Sequence, residues 1–441
     1  MEKSLYLLNL TISGIKNIEK EVKLEFYKKS IDRNFDPSKY RIKAIYGENG
    51  SGKTGIVNAV QILQNLLLDD RYLNDSMNQR LLRSLINKRV CRLHIECEFA
   101  HINTEKITLY RYSVVLAQNK AGQYVITDEQ LQTRSGMYTA SKYNTVFRCE
   151  NGVLTDLDAN SELKDAAFRV TANLLNTSSF MILCILHRKE LPFTDGGRKL
   201  QVSLLALLQF ATTLRVSIEQ SDNHDLFVLI DGLMGDYYEH DSERTWDIIQ
   251  SNIRGIAGID RRIVHKSRFD EYESDVSRLC KFLKLFKSDL VSVEIEKREE
   301  RDYYECSLVM DYADYKVDLE FESNGIKKLV RIFRALDAAV TSDIVFIDEM
   351  DSNINDIYLC KIVEYFMLYG KGQLCFTTHN TSPMSILKKN KNSIDFISND
   401  NKLVAWKTNG NFAPDSLYQN GMIKYLPFNI EPEDFLGVLG E

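Results

Sequence analysis

Gly47-Glu48-Asn49-Gly50-Ser51-Gly52-Lys53-Thr54 is the stretch that decides the fold class. It fits the pattern G-x-x-x-x-G-K-[ST], in which glycines let backbone N–H groups close around phosphate oxygens. Charged and apolar residues alternate before it, over Tyr40–Tyr46, which predicts a strand. Apolar residues recur at helical spacing after it: Ile56, Val60, Leu63 and Leu67. A strand, a glycine loop and a helix in this order predict an α/β fold with a phosphate-binding loop.

The residue types in this loop predict separate roles in phosphate binding. The cradle around the phosphates would comprise five loop residues: Gly47, Asn49, Gly50, Ser51 and Gly52. Lys53 would reach the β- and γ-phosphates of a nucleotide, and Thr54 would supply a hydroxyl to Mg²⁺. The alternative is a glycine-rich turn that binds nothing, but the position between a strand and an amphipathic helix favours the phosphate site. ATP and Mg²⁺ are therefore the expected ligands.

A pair of acids follows a short apolar run much later in the chain. Ile344–Ile347 has four apolar residues, as expected of a central parallel strand that is buried on both faces. Asp348 could hold Mg²⁺ through the water shell of the ion, and Glu349 could polarise an attacking water molecule. Apolar strands often end in acids, so this pair gains its meaning from the glycine loop upstream. Together the two motifs predict ATP hydrolysis.

Two further segments are candidates for contacts with the γ-phosphate. His379 follows the apolar run Gln373–Thr377, and it is either a phosphate contact or a partly exposed histidine in a turn. Ser323 and Gly325 precede a helical stripe of apolar residues. Ser323 is a plausible helix cap. The functional alternative is a helix N-terminus that grips the γ-phosphate of an ATP held by a second subunit.

The order of predicted elements divides the chain into four ranges. Residues 1–90 would form the N-terminal half of an ATPase core, and residues 91–160 an antiparallel β lobe. Helical periods dominate residues 161–300, which would form a helical insertion, and residues 301–441 would form the C-terminal half of the core. Alternating or apolar runs predict strands at Leu5–Ile12, Val22–Phe26, Leu93–Phe99, Ile107–Leu116, Tyr124–Thr127, Thr145–Cys149, Val291–Glu296, Tyr304–Met310, Tyr315–Phe321 and Gln373–Thr377. Gly255 and Gly258 predict a turn within the helical range.

Composition bounds the class of protein more than its function. A net charge of −6 gives no general attraction to nucleic acid. Two local basic runs are usually solvated faces, with DNA contact as the alternative. These runs comprise Arg80, Arg83, Lys88, Arg89 and Arg92, and then Arg261, Arg262, Lys266 and Arg268.

The N-terminal residues and the cysteines predict a cytoplasmic protein. The start of the sequence lacks the basic-then-apolar pattern of a signal peptide, and the apolar runs fall short of the roughly 20 residues that span a membrane. The 8 cysteines, which lie between Cys91 and Cys375, form no C-x-x-C pair. This spacing predicts reduced thiols and argues against a structural zinc site. We therefore expect no contact with a membrane.

Taken together, four motifs resemble those of the ABC-type ATPase head, a P-loop NTPase fold shared by SMC and RecF-like proteins. They are the glycine loop, the acid pair, the segment at His379 and the segment at Ser323. Lys16, which follows the first predicted strand, matches the basic residue near the nucleotide in such heads. Ser323-Asn324-Gly325 matches their signature, Asp351-Ser352-Asn353 their D-loop and His379 their switch histidine. A closer similarity is to the AAA-family ATPase subunits of bacterial anti-phage and abortive-infection systems such as PARIS and Septu. Glu322–Leu329 and Asp348–Asp351 match two blocks typical of that group.

The resemblance implies a homodimer or higher oligomer in which two heads hold ATP between them. Each site would combine Lys53 of one chain with Ser323 of another. The implied partner is a separate effector, a Toprim or HNH nuclease or a toxin, which ATP binding would hold or release. DNA is a further candidate partner. The rivals are a RecF-like clamp that binds DNA during repair, and an interaction scaffold that binds ATP and hardly hydrolyses it.

The chain departs from the family pattern at several points. Ile326 stands where many relatives carry threonine, and Asn355 stands where they carry a histidine soon after the D-loop. A glutamine-bearing loop could not be placed, so its metal ligand stays unassigned. No long heptad stretch is present, so the coiled-coil arms of SMC proteins are not expected.

Overall fold

The structure is a computed structural model. It describes residues 4–103, 106–139, 141–193, 197–218, 262–299, 301, 303–390, 392–406, 414–419 and 421–423. The strands are, in chain order, β1 (Ser4–Ser13), β2 (Val22–Glu25), β3 (Ile42–Gly47), β4 (Arg92–Asn103), β5 (Lys106–Gln118), β6 (Tyr124–Ser135), β7 (Asn144–Glu150), β8 (Val153–Leu157), β9 (Leu214–Ser217), β10 (Arg262–His265), β11 (Ser292–Glu299), β12 (Tyr303–Asp311), β13 (Lys316–Asp318), β14 (Ile344–Ile347), β15 (Gln373–Thr377), β16 (Ile394–Ile397) and β17 (Leu403–Ala405). The helices are α1 (Lys53–Leu68), α2 (Ser76–Leu85), α3 (Ser161–Thr171), α4 (Phe180–Leu186), α5 (Arg198–Thr213), α6 (Phe269–Lys284), α7 (Asn324–Thr341), α8 (Asp356–Tyr369), α9 (Met384–Leu387) and α10 (Pro414–Gln419).

A six-stranded sheet in the order β17-β16-β3-β15-β14-β9 organises the α/β fold. Its strands are parallel except for β17, which pairs antiparallel with β16. The predicted strand β14 is confirmed, and its side chains alternate between two cores. Ile344 and Phe346 face a core that contains α1 and α5, whereas Val345 and Ile347 face a core that contains α7 and α8. This burial on both faces explains why its sequence is continuously apolar.

A seven-stranded antiparallel sheet in the order β2-β1-β4-β5-β6-β7-β8 lies beside the parallel one. The antiparallel strands predicted within residues 91–160 are confirmed. However, β1 and β2, which the sequence grouped with the glycine loop, also belong to this sheet, because β1 pairs with β4 in a register that joins Ile12 to Ile95. The antiparallel sheet packs into the same hydrophobic core as one face of the parallel sheet, the face that includes Ile344 and Phe346.

One buried glutamine joins the two sheets directly. The Gln373 side chain in β15 accepts a hydrogen bond from the Leu7 main-chain N–H at 2.6 Å and donates one to the Leu7 carbonyl at 3.0 Å. Leu7 can use both groups in this way because a register shift interrupts the pairing of β1 with β4 at this point. The antiparallel sheet is therefore tied to a central strand of the parallel sheet.

In the range predicted as a helical insertion, 161–300, the residues that the structure describes form three strands as well as helices. β9 follows α5 without a break and joins the parallel sheet beside β14, while β10 and β11 belong to a third sheet. The sequence did not indicate β9, because four residues directly after a helix carry no turn signal and are too few to show a period. The turn predicted at Gly255 and Gly258 lies outside the described residues.

The third sheet has the order β10-β12-β11, with β13 paired to β12. The strand predicted at Tyr315–Phe321 is shorter than expected, since only Lys316–Asp318 is extended. The Asp318 carboxylate then accepts a hydrogen bond from the Glu320 N–H at 2.8 Å, which turns the chain into a 3₁₀ helix. A local side-chain bond of this kind competes with strand pairing.

Glu129, in β6, is a carboxylic acid with 1% of its surface exposed. It accepts one hydrogen bond from the Tyr112 hydroxyl at 2.9 Å and another from the Phe180 N–H at 2.8 Å. Burial raises the pKa of Glu129 to about 7, against the opposing effect of these two bonds. The folded protein therefore holds this group as a neutral acid more readily than the unfolded chain does.

Replacing Glu129 by glutamine is expected to change how stability depends on pH. An acid with a raised pKa stabilises the folded state fully below its unfolded pKa, near 4.5, and this contribution is lost as pH rises through 7. The free energy of unfolding of the wild type should therefore fall relative to that of Glu129→Gln by about 3 kcal/mol between these pH values. Urea unfolding at several pH values measures the difference. Parallel curves for wild type and Glu129→Gln would contradict the expectation.

Candidate functional site

The glycine loop lies at the carboxyl edge of the parallel sheet, as predicted. β3 ends at Gly47 and α1 begins at Lys53. A Cβ atom at Gly47 would lie 2.5 Å from the Ile397 carbonyl oxygen, so no larger residue fits there. Gly52 has a φ of +111°, and a Cβ atom would lie 2.7 Å from Cγ1 of Ile18. Both positions require glycine for steric reasons, and Gly52 requires it for conformational ones too.

Lys53 is buried in the loop that it follows. Its ammonium donates hydrogen bonds to the carbonyl oxygens of Gly47 at 2.7 Å and Glu48 at 3.0 Å. Burial lowers the pKa of Lys53 to about 8, although Asp348 and Glu349 oppose this shift. The group thus stays mostly protonated at neutral pH while it sits in a weakly solvated position, where a cation binds phosphate strongly.

The loop has features that fit a phosphate group. No side chain caps the N-terminus of α1, so its first N–H groups and the positive end of the helix dipole face the cleft described next. The Ser51 hydroxyl is buried and has no hydrogen-bond partner within the described ranges. An unsatisfied buried donor at a helix N-terminus is a fitting contact for an anion.

A cleft of about 410 Å³ opens beside the loop. It brings together most of the predicted site residues: Lys16, Asn49, Gly50, Gly52, Lys53, Thr54, Glu349 and His379. Asn17, Gly55 and a segment at the end of α2, namely Ser84, Ile86, Asn87 and Lys88, complete the lining. Gly47, Ser51 and Asp348 are buried and are not among the residues that line the cleft.

The α2 wall of the cleft was not foreseen from the sequence. The Lys16 N–H donates to the Leu85 carbonyl at 2.6 Å, and the Asn87 side-chain amide donates to the Lys16 carbonyl at 2.7 Å. These bonds hold Lys16 at a positive φ of 45° and place its side chain in the cleft. Burial lowers the pKa of Lys16, while the carboxylates of Asp348 and Glu349 oppose the shift. Only the long-range pairing of residues 15 and 86 could have revealed this wall.

Asp348 and Glu349 follow β14 at the same edge of the sheet. Asp348 is 5% exposed, and its Oδ1 accepts a hydrogen bond from the Thr377 hydroxyl at 2.6 Å. Glu349 is partly buried and lines the cleft, and its N–H donates to the same hydroxyl at 2.8 Å. Glu349 has a φ of +46°, which is a strained conformation for a residue with a side chain.

His379 follows β15, the strand between β3 and β14. Its main-chain N–H and that of Asn380 both donate to Asp351 Oδ2, at 3.2 and 3.1 Å. The predicted D-loop acid therefore holds the turn that carries the histidine. Partial burial and the nearby Lys53 ammonium lower the pKa of His379, against the effect of Asp351 and the acid pair. A neutral imidazole at pH 7 can hydrogen-bond to a phosphate oxygen.

Ser323 and Gly325 do not line the cleft of their own chain. Ser323 is the exposed N-cap of α7, and its hydroxyl accepts a hydrogen bond from the Ile326 N–H at 3.4 Å. A Cβ atom at Gly325 would lie 3.0 Å from the Asn353 carbonyl oxygen, so the start of α7 packs against the D-loop. The helix cap predicted as the alternative to a phosphate contact is thus confirmed.

One link between α7 and the acid pair was missed. Lys328 has only 3% of its surface exposed, and its ammonium donates to the Asp348 carbonyl at 3.5 Å. A lysine beside the apolar stripe of α7 reads as a solvated residue, because a helical pattern does not show which flank a neighbouring strand covers. Asn355 caps α8 by accepting a hydrogen bond from the Ile357 N–H at 2.9 Å.

The neighbour of β14 on its other side is β9, whose Ser217 carbonyl accepts a hydrogen bond from the Asp348 N–H at 2.8 Å. The chain that follows β9 contains Gln220 in a stretch outside the described residues. In the part of the chain that the structure describes, no group of three or more His, Cys, Asp or Glu side chains could hold a metal ion. One hydroxyl and one carboxylate suffice for Mg²⁺, which keeps most of its waters.

Comparison with protein-family models gave no match, and neither did comparison with curated proteins. Three neighbouring strands, β3, β15 and β14, bring a glycine loop, a histidine and an acid pair to one edge of the sheet. Ligand sites in parallel sheets lie at this edge. None of the described helices combines the length and the apolar character needed to cross a bilayer.

Proposed function

We propose that the chain is an Mg²⁺-dependent ATPase with an ABC-type head. The observation that carries this proposal is the shared cleft, in which Lys53 and Thr54 of the glycine loop face Glu349 and His379. These residue types are the ones that phosphoryl transfer to water requires. The geometry of the uncapped α1 and the buried Ser51 hydroxyl supports a phosphate group at this place.

Each residue has a role that its surroundings support. Lys53 and the N–H groups of the glycine loop would bind the phosphates, and His379 would hydrogen-bond to the terminal one. Thr54 and Asp348 would hold Mg²⁺, which neutralises charge on the phosphates when bound. Glu349 would orient the attacking water and accept its proton. The purified chain should release phosphate from ATP in Mg²⁺ but not in excess EDTA, and absence of release in Mg²⁺ would contradict the proposal.

The position of Ser323 supports a site shared between two chains. Ser323 is the exposed N-cap residue of α7, a helix of 18 residues, and it lies outside the cleft of its own chain. A helix N-terminus of this length attracts anions. A second copy could therefore present its Ser323 and Gly325 to the γ-phosphate, which makes ATP the bridge of a homodimer or higher oligomer.

The biological role that we propose is switching in bacterial anti-phage defence. It rests on the resemblance of Glu322–Leu329 and Asp348–Asp351 to such ATPases. ATP would set an assembly that senses infection and holds or releases a separate nuclease or toxin. Capture of Glu349→Gln protein from its native host, with wild type as control, tests this role. Recovery of a nuclease or toxin encoded beside it would support defence, whereas repair proteins with DNA would contradict it.

A second candidate is a RecF- or SMC-like ATPase that clamps DNA during repair, and one surface favours it. Arg80 and Arg83 are exposed on α2, and Lys88 lines the cleft that α2 borders. Among the described residues, none of these three cations has a carboxylate within salt-bridge distance. A phosphate backbone could bind such a surface.

The double variant Arg80→Glu/Arg83→Glu distinguishes the two candidates. If DNA binds α2, duplex DNA should stimulate phosphate release by the wild type. In the double variant this stimulation should be weaker by about tenfold or more. The slope of the logarithm of DNA affinity against the logarithm of salt concentration should become shallower by about 2. Arg169→Glu, on the exposed side of α3, is the control. Turnover that does not respond to DNA in any of these proteins would exclude α2 as a DNA surface.

A further inference from the structure

Thr377 occupies a singular position between the two acids. It is the last residue of β15 and is completely buried. Its hydroxyl donates to Asp348 Oδ1 at 2.6 Å and accepts from the Glu349 N–H at 2.8 Å. The Thr377 carbonyl in addition accepts from the Met350 N–H at 3.0 Å. Thr377 therefore contacts the three consecutive residues that directly follow β14.

These contacts act on a strained segment. Glu349 adopts a φ of +46°, a left-handed conformation that is unfavourable for a residue with a Cβ atom. Such a conformation persists only when surrounding bonds hold it in place. The flanking N–H groups are held by main-chain carbonyls, of Ser217 for Asp348 and of Thr377 for Met350. The Glu349 N–H has the Thr377 side chain as its partner.

We propose that Thr377 is a positioning residue that sets both acids at once. Its hydroxyl proton fixes Oδ1 of Asp348, which leaves Oδ2 to be offered to Mg²⁺. Its oxygen lone pair holds the Glu349 backbone in the left-handed conformation that directs this side chain into the cleft. The inference rests on the proposed function, and it adds the device that couples the metal-binding acid to the water-activating one.

A hydroxyl can donate and accept simultaneously, whereas a thiol of similar size does both only weakly. Valine has nearly the same shape and can do neither, so Thr377→Val would leave the Asp348 carboxylate free to rotate and the Glu349 N–H without its bond. Serine keeps both functions. The pair Thr377→Val and Thr377→Ser therefore separates the hydroxyl from the volume of the side chain.

The experiment measures turnover and, independently, the effect of Mg²⁺ on the binding of a non-hydrolysable ATP analogue. We expect Thr377→Val to lower kcat about 100-fold, because misplaced catalytic groups cost this much. In EDTA, Thr377→Val should bind the analogue with the affinity of the wild type. The increase in affinity on adding Mg²⁺ should be about tenfold smaller in the variant than in the wild type. Thr377→Ser should retain kcat and the Mg²⁺ effect within about threefold of the wild type.

A buried threonine elsewhere provides the control. Thr171, in α3, donates its hydroxyl to the Ala167 carbonyl at 2.7 Å, so Thr171→Val also loses a buried hydroxyl bond but should leave kcat and the Mg²⁺ effect unchanged. Should Thr377→Val fail to fold, Thr377→Cys, with its weak thiol donor, is expected to show the same loss at reduced size. If a folded Thr377→Val or Thr377→Cys protein has the kcat and the Mg²⁺ dependence of the wild type, the inference is overturned while the ATPase proposal stays intact. A wild type without ATPase activity would overturn both.

Discussion

Glu349→Gln is expected to reduce ATP turnover about 1000-fold while ATP binding stays within a few-fold of the wild type. Glutamine preserves the size of the side chain and its place in the cleft, but it carries no charge and cannot accept a proton. Glu349 lies in the same cleft as Lys53 and His379, so the loss should appear in the chemical step and not in binding. Single-turnover phosphate release and titration with ATP measure the two quantities separately.

The same variant should accumulate with ATP as a dimer or higher oligomer. If ATP is bound between the cleft of one chain and Ser323 of another, slow hydrolysis prolongs that state. Size-exclusion chromatography with and without ATP would detect it. Glu364→Gln, at a partly exposed position of α8 outside the cleft, serves as the control. Equal turnover in Glu349→Gln and wild type would refute the assignment. Slow turnover in both, with ATP bound, would favour a scaffold that binds ATP and hardly hydrolyses it.

Lys53→Ala is expected to weaken ATP binding by about 100-fold or more. Lys53 is 6% exposed as a residue, so its contacts with phosphate would be charge-assisted bonds largely shielded from water. Each such bond contributes about 1.5–3 kcal/mol, and 100-fold in affinity corresponds to about 2.7 kcal/mol. Calorimetric titration with ATP in Mg²⁺ provides the measurement.

Folding must be checked in this variant, since the Lys53 ammonium also bonds to the Gly47 and Glu48 carbonyls. A melting temperature near that of the wild type, together with lost binding, would assign the effect to phosphate. Lys39→Ala, an exposed lysine close in sequence, should bind ATP normally. Undiminished affinity in Lys53→Ala would mean that the glycine loop is a turn that binds nothing.

The parts of the fold that follow from local pattern were predictable. β14 and β15 have the predicted bounds, and the glycine loop lies between a strand and a helix as expected. Each is marked by a short, strongly apolar run or by glycines whose spacing has a steric cause. Their meeting at one edge of the sheet could also be expected, since parallel strands present their carboxyl ends together.

What the sequence did not indicate depends on contacts between distant residues. β1 is a mostly apolar run whose residues are buried nearly throughout, so nothing in its sequence distinguishes a strand of the antiparallel sheet from one of the parallel sheet. Lys16 and Asn87 meet only because the start and the end of a 70-residue stretch return to each other. Thr377 was recognised as part of a strand end, but its bond to Asp348 requires two strands to be neighbours in a known register.

β15 is five residues long, yet it has Gln373 at one end and Thr377 at the other. At a rise of ~3.3 Å per residue, about 13 Å separates the two. One end is clamped to β1 by two buried hydrogen bonds, and the other holds both acids. The strand therefore acts as a short rigid strut. If β1 moves along the direction of β15, one of two changes follows. Either the two hydrogen bonds between Gln373 and Leu7 break, at ~1 kcal/mol per bond, or the Thr377 hydroxyl moves relative to the acid pair. A force applied to the antiparallel sheet would thus be transmitted to the edge of the parallel sheet that carries the acid pair.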